Sequence, residues 1–192
     1  NSSAKAEIRG KILLDSIWNP VVYLSHIPTF YDMFTMSNSM IIAESPLDEE
    51  GNFHFSTSFL PEKDNLYRLH ISKKGAPAAS LIIGGKDENH LYFIANNRSD
   101  IFISNTSTAI PVSTFKVEGY RPNDDLRSIN EIVASADNLD NPPVSKEFLS
   151  RTINEKLRVM ADTSSHPIVS LYALHQSNFE ATYLENQVFI EN

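Results

Sequence analysis

Asp48-Glu49-Glu50-Gly51-Asn52-Phe53-His54-Phe55-Ser56-Thr57-Ser58-Phe59 is the stretch whose reading decides the fold. Asp48 to Gly51 reads as a turn, because acidic residues favour turns and glycine can take positive φ. Beyond it, Phe53, Phe55, Thr57 and Phe59 fall on one side of an extended chain. Asn52, His54, Ser56 and Ser58 fall on the other. A period of two residues predicts a strand with one face buried and one in water.

The same reading extends outward. Strands are expected over Glu7 to Leu14 and Val21 to Ile27, separated by the turn-like Ser16-Ile17-Trp18-Asn19-Pro20. Pro20 marks the start of the second strand or a sheet edge. Tyr31 to Ser39 shows no period and reads as a loop leading into a strand at Met40 to Ala43. After a turn at Pro61 to Asn65, Leu66 to Ser72 reads as a strand. It carries Tyr67, Leu69 and Ile71 on one face, and Arg68 and His70 on the solvent face. Ser80 to Ile83 and His90 to Ala95 read as a hairpin around Gly84-Gly85-Lys86-Asp87-Glu88-Asn89. Asp100 to Ser104 and Thr114 to Glu118 follow a turn at Asn96 to Ser99. Eight or nine short strands without an intervening helix predict a mainly β fold. The expected form is an antiparallel β-sandwich, immunoglobulin- or transthyretin-like, over residues 1–119.

At Gly119-Tyr120-Arg121-Pro122 the period becomes helical. Residues 120–192 are expected to form two to three short helices leading into further chain. Leu126, Ile129, Ile132, Val133, Ala136 and Leu139 make one apolar stripe, with Asp124 and Asp125 near the helix N-terminus. Asn141-Pro142-Pro143 ends that helix. Ser145 can cap a second, with the stripe Leu149, Ile153, Leu157 and Met160. Pro167 suits the first turn of a third, carrying Ile168, Leu171, Tyr172 and Leu174. Residues 179–192 support no assignment.

Composition narrows the function classes. The 192 residues carry a formal net charge of −8, which opposes non-specific binding to nucleic acid or to an anionic membrane surface. No cysteine is present, so disulfides, thiolate nucleophiles and cysteine-ligated metals are excluded. No apolar stretch reaches the ~18 residues of a membrane span. Any membrane contact is expected through regions outside this segment. The polar start at Asn1 reads as a processed or internal boundary. Sequons stand at Asn1, Asn97 and Asn105, about as many as chance gives in a chain rich in Asn and Ser.

The residues that could carry chemistry are dispersed. None of the six histidines has metal-ligand spacing. His54 and His70 fall on solvent faces of strands that could be neighbours and could meet across them. His90 and His166 look like boundary residues, and His175 lies near a helix C-terminus. Asp48-Glu49-Glu50 lacks the alternation of a calcium loop and reads as a solvated turn. Gly84-Gly85-Lys86 lacks both the upstream glycine and the following helix of a phosphate loop. There is no GxSxG elbow. No catalytic residue, cofactor or metal is assigned. The one candidate contact surface is Tyr31, Met33, Phe34, Met36 and Met40, because aromatic and Met side chains on an irregular loop form an adaptable apolar surface. Alternatively they cover one end of the sandwich. Arg98 and Asp100, beside Asn96 and Asn97, read as loop chemistry or a minor polar site.

Several runs together resemble an uncharacterised β-sandwich family. They are Ile41-Ile42-Ala43, Leu47 to Phe55, Pro61 and Leu66-Tyr67-Arg68-Leu69, with Ile8 to Ile12 and Val21 to Leu24 fitting its first two strands. In that family an acidic turn, a glycine and a Phe-x-Phe strand precede a Tyr-Arg-Leu strand. The resemblance covers roughly residues 6–105, and Ser165 to Ser170 is similar to the helical connector of such proteins. The family occurs in exported and lipid-anchored proteins of Gram-negative bacteria, commonly ahead of a thioredoxin-like domain. The Met- and aromatic-rich stretch 28–40 departs from its pattern. The Leu81 to Asn89 run is similar to a subgroup of sensory ectodomains of membrane-bound regulators.

The expectation is therefore a non-catalytic, periplasmic or cell-envelope binding, sensory or structural module of a larger protein. Its partner would be a protein or a small-molecule ligand, with homo-oligomerisation open. The alternatives are an accessory domain of a thioredoxin-like oxidoreductase, and a hydrolase using dispersed Ser, His and Asp.

Overall fold

The computed structural model describes residues 5–105, 115–135 and 146–177. The described strands are β1 (Ala6–Lys11), β2 (Val21–Ile27), β3 (Ile41–Pro46), β4 (Asn52–Thr57), β5 (Asn65–His70), β6 (His90–Ala95), β7 (Asp100–Asn105) and β8 (Phe115–Glu118). Three helices follow: α1 (Pro122–Ala134), α2 (Lys146–Thr163) and α3 (Pro167–Gln176). Helix and strand content are roughly equal. The strands form two four-stranded sheets, ordered β4-β1-β7-β8 and β3-β2-β5-β6.

The quoted stretch behaves as its period requires, with one correction. Gly51 takes φ +84°, and a Cβ there would lie 2.3 Å from the Ile12 carbonyl oxygen, so the turn demands glycine. Phe53, Phe55 and Thr57 are buried, while His54 and Ser56 are exposed. Phe59, expected on the buried side, is 57% exposed. The strand ends at Thr57, the alternation lapses, and Leu60 takes the buried place.

All the described strand pairs but one run antiparallel. The expectation of a wholly antiparallel arrangement fails at β1 and β7, which pair in parallel, Ile8 opposite Ile101 and Gly10 opposite Ile103. They are not hairpin partners. The Asn96 to Ser99 turn carries the chain from β6 in the second sheet to β7 in the first, and that crossing sets the direction of β7. Apolar residues of both sheets form a single cluster, including Ile8, Phe53 and Ile101 from the first and Leu24, Leu69 and Phe93 from the second.

Two further expectations are corrected. Ser80 to Ile83 is not a strand, and β6 pairs with β5 instead. The Asn89 side chain explains this. It donates to the carbonyls of Ile71 and Ser80 and accepts from the Ile82 amide, so it partners backbone groups that a hairpin ladder would have used. Tyr31 to Ser39, read as a loop, contains two 3-10 turns, Phe30–Phe34 and Asn38–Met40. Asp32 closes the first by accepting from the Thr29 backbone and hydroxyl.

The chain divides into two compact units, Asn1–Asp124 and Asp125–Asn192. In the second, α2 and α3 pack together across a short connection in which the Ser164 hydroxyl accepts from the His166 amide. Leu126, Ile129, Leu157, Val169, Tyr172 and Ala173 are buried, and the Tyr172 hydroxyl donates to Asn130. Of the apolar residues expected on the third helix, Tyr172 is buried but Leu171 is 46% exposed, and Val169 and Ala173 are also buried. The expectations at Asn1, Thr114, Ala136, Leu139, 141–143, Ser145 and 179–192 lie outside the described residues, as does the Leu149 side chain.

Candidate functional site

The described residues define a cleft of about 520 Å³. One wall is the β1–β2 connection, Ile12 to Ser16 with Trp18 and Pro20. The other is the β3–β4 turn, Leu47 to Gly51, and Lys74 reaches in after β5. Backbone hydrogen bonds tie these segments together. Ile12 donates to Gly51 at 2.9 Å, Leu47 to Pro20 at 2.8 Å and Lys74 to Ile17 at 2.9 Å. The Leu13 amide donates to the Asn105 side chain at 2.9 Å. The walls are thus pre-formed, as small-molecule sites usually are.

The cleft has an apolar floor and a charged rim. Ile12 and Trp18 are buried, and Leu14 and Leu47 half-buried. The Lys73 ammonium lies over the Trp18 ring, 5.8 Å from its centroid, and donates to Asp87. Asp15, Asp48, Glu49 and Glu50 stand on the rim against a single ammonium, that of Lys74. Asp48 accepts from the Asn52 side chain, the Asn52 amide and the Glu50 amide. These bonds, that of the Asn52 side chain foremost, hold its carboxyl below the usual aspartate range.

A second polar constellation lies on the face of the β3-β2-β5-β6 sheet away from the apolar cluster. Arg68 and His70, expected in solvent, are buried there, with Ser25, His90 and Tyr92. Ser25, Arg68 and Tyr92 lie opposite one another in register; so do Tyr23, His70 and His90. The reason is tertiary: the 28–40 segment and the connection after β5 supply partners for this face. The Arg68 Nη1 donates to the carbonyls of Asp32, Met33 and Thr35, and its Nη2 meets the Met36 sulfur. Tyr92 donates to the Met33 carbonyl at 2.5 Å. His70 stacks on Tyr23 and bonds through Nε2 to the Ala78 carbonyl. Burial, opposed by the Ala78 bond and reinforced by the Arg68 charge, brings the His70 pKa down to about 4. Burial and the Arg68 charge do the same at His90, also to about 4.

The other singled-out residues are dispersed. His54 and His70 sit in different sheets and do not meet; His54 pairs with Glu7 on the first sheet. His90, read as a boundary residue, does open β6, and its side chain lies inside the polar layer. His166 does stand at a boundary, as the N-cap of α3. Arg98 pairs with Glu62, and Asp100 with Arg9. Asn105 is buried. Of the proposed contact surface, Tyr31 and Phe34 are 79% and 56% exposed, Met33 is buried, and Met36 and Met40 are half-buried. Residues three apart on a 3-10 turn lie over one another, so Tyr31 and Phe34 are presented together. Among the described residues no group of three or more His, Asp or Glu could hold a metal ion, and no helix is long and apolar enough to cross a membrane.

Sequence reasoning missed the cleft. It treated residues 16–20 and 48–51 as separate turns, and nothing local says that they face each other. The available signal was the chain's single tryptophan inside a turn, where a large apolar side chain needs something to pack on. Compared with known proteins, the chain matches no protein family, no curated protein and no solved structure.

Proposed function

We propose that this chain is a non-catalytic binding module that takes a small ligand in the cleft between residues 12–20 and 47–51. The observation that carries the proposal is the cleft itself: about 520 Å³, with an apolar floor, a polar rim and walls tied by backbone hydrogen bonds. Ligand sites are commonly concavities of roughly 300–1,000 Å³ with that division of surface. The two sheets are read as the layers of a β-sandwich scaffold, supported by the apolar cluster to which both contribute. Membership of a larger extracytoplasmic protein rests on the sequence resemblance alone. The absence of a spaced catalytic motif supports the non-catalytic part.

A fragment screen on ¹⁵N-labelled protein tests the reading. Amide shift changes should gather at Ile12 to Asn19 and Leu47 to Gly51 and saturate with concentration. Changes scattered over the surface, or gathered elsewhere, would refute it.

A further inference from the structure

We propose that residues 76–83, in the connection between β5 and β6, form a flap that acid opens while both sheets stay folded. Glycines bound the flap. Gly75 on one side, and Gly84 and Gly85 on the other, take positive φ, and a Cβ at any of them would meet nothing within 4 Å. The chain outside these hinges is fastened. The Asn19 amide donates to Ser72 and the Lys74 amide to Ile17, and Lys73 pairs with Asp87. Inside the hinges, three side chains from the end of β5 and the start of β6 hold the flap down. His70 Nε2 bonds to the Ala78 carbonyl at 2.7 Å, and His90 meets the Ile82 backbone. Asn89 donates to the Ser80 carbonyl and accepts from the Ile82 amide.

The two rings make the clasp acid-sensitive. His70 and His90 stand directly opposite each other. Both are buried, and neither Nδ1 has a hydrogen-bond partner. With His70 Nε2 committed to a carbonyl, Nδ1 is the bare nitrogen of the neutral ring. Protonation there creates a buried N–H⁺ without an acceptor. It does so beside Arg68, whose charge already acts on both rings. Among the described residues no carboxylate answers the new charge. Tyr23 stands between His70 and Glu44 across the sheet. Asp32 is bonded to Thr29, Glu88 to the Gly84 amide and Asp87 to Lys73, while Lys86 is exposed. The other ring neighbours are those of Tyr23 and Tyr92. Lifting the flap brings water to Nδ1. It gives up the clasp bonds and the packing of Ile82 on the apolar cluster, a smaller loss than that of a sheet.

Native-state amide exchange on the intact chain, corrected for its intrinsic dependence on pH, tests the flap. The Ile82 amide reports on it, and the amides of β1 and β2 report on the sheets. Between about pH 7.5 and pH 5, opening at Ile82 should grow about thirtyfold for each ring that water reaches. Low urea should scarcely change that opening, because it exposes little surface. The amides of β1 and β2 should stay protected at pH 5 and respond steeply to urea. Combining His70→Gln and His90→Gln should remove the pH response at Ile82 and leave β1 and β2 protected. If Ile82 shares one opening free energy and one urea slope with β1, the flap does not move by itself and the inference falls. If Ile82 opens alone but equally at both pH values, the histidine clasp is refuted.

Discussion

Arg68 has no exposed surface, and its guanidinium is answered by carbonyl dipoles and a sulfur atom, with no ion pair to a carboxylate among the described residues. Three of its bonds end on the last carbonyls of the 3-10 turn Phe30–Phe34 and the residue after it. A cation suits that end of a helical turn, where carbonyls are left without amide partners. Arg68→Ala should cost about 2–4 kcal/mol, because it strands buried carbonyls and opens a void. Urea denaturation measures the loss. Amide exchange should accelerate at Thr35, whose N–H bonds to the Asp32 carbonyl, before it does so in β5. Gly51 is the second sensitive residue. Gly51→Ala forces a Cβ against the Ile12 carbonyl at positive φ, and should lower stability by about 1–3 kcal/mol. It should also weaken any ligand bound in the cleft, since it displaces one wall.

At the scale of elements, β6 is an edge strand in which all six residues are buried. An open strand edge invites pairing with another chain. Here the Asn123 side chain closes part of it: the Ile94 amide donates to its Oδ1 at 2.7 Å, and its Nδ2 donates to the Ile94 carbonyl at 3.0 Å. One amide thus stands in for a neighbouring strand. Asn123→Ala should cost about 1–3 kcal/mol, speed amide exchange at Ile94 and raise the tendency to associate. Light scattering at rising concentration checks the last point; no change would mean that other groups protect the edge. The strands themselves were readable. Val21–Ile27 stands where its apolar run predicts it, and β4 keeps its alternation as far as Thr57. What escaped was structure that side chains remote in the chain impose. Ser80 to Ile83 looks like a strand until Asn89 takes its backbone groups, and Arg68 looks solvent-facing until residues 32–36 cover it.

For the whole molecule, the buried histidines tie stability to pH. His70 and His90 have folded pKa values near 4 against 6.5 unperturbed. Above about pH 6.5 both rings are neutral in either state and add no pH dependence. As pH falls from 6.5 toward 4, the unfolded chain binds protons that the folded chain excludes, so stability declines and then levels off. Each ring can contribute up to about 3 kcal/mol of that decline. Urea midpoints at about pH 7 and pH 5 should differ accordingly, and the combination His70→Gln and His90→Gln should flatten the difference. An unchanged slope in that variant would place the pH dependence on other groups.

The sequence by itself determined the local facts: extended segments where apolar residues alternate, turns where glycine and acidic residues cluster, and helices after Gly119. These follow from periods of two and 3.6 residues and from backbone chemistry, and they need no knowledge of neighbours. Only the tertiary structure decided which faces see water, and which turns face each other. Alternation shows that a strand has two faces, but a second layer can cover both, as the 28–40 segment does over Arg68. The cleft belongs to the same category. Trp18 and Asp48 are thirty residues apart in the chain, and backbone bonds between remote segments bring their two turns together.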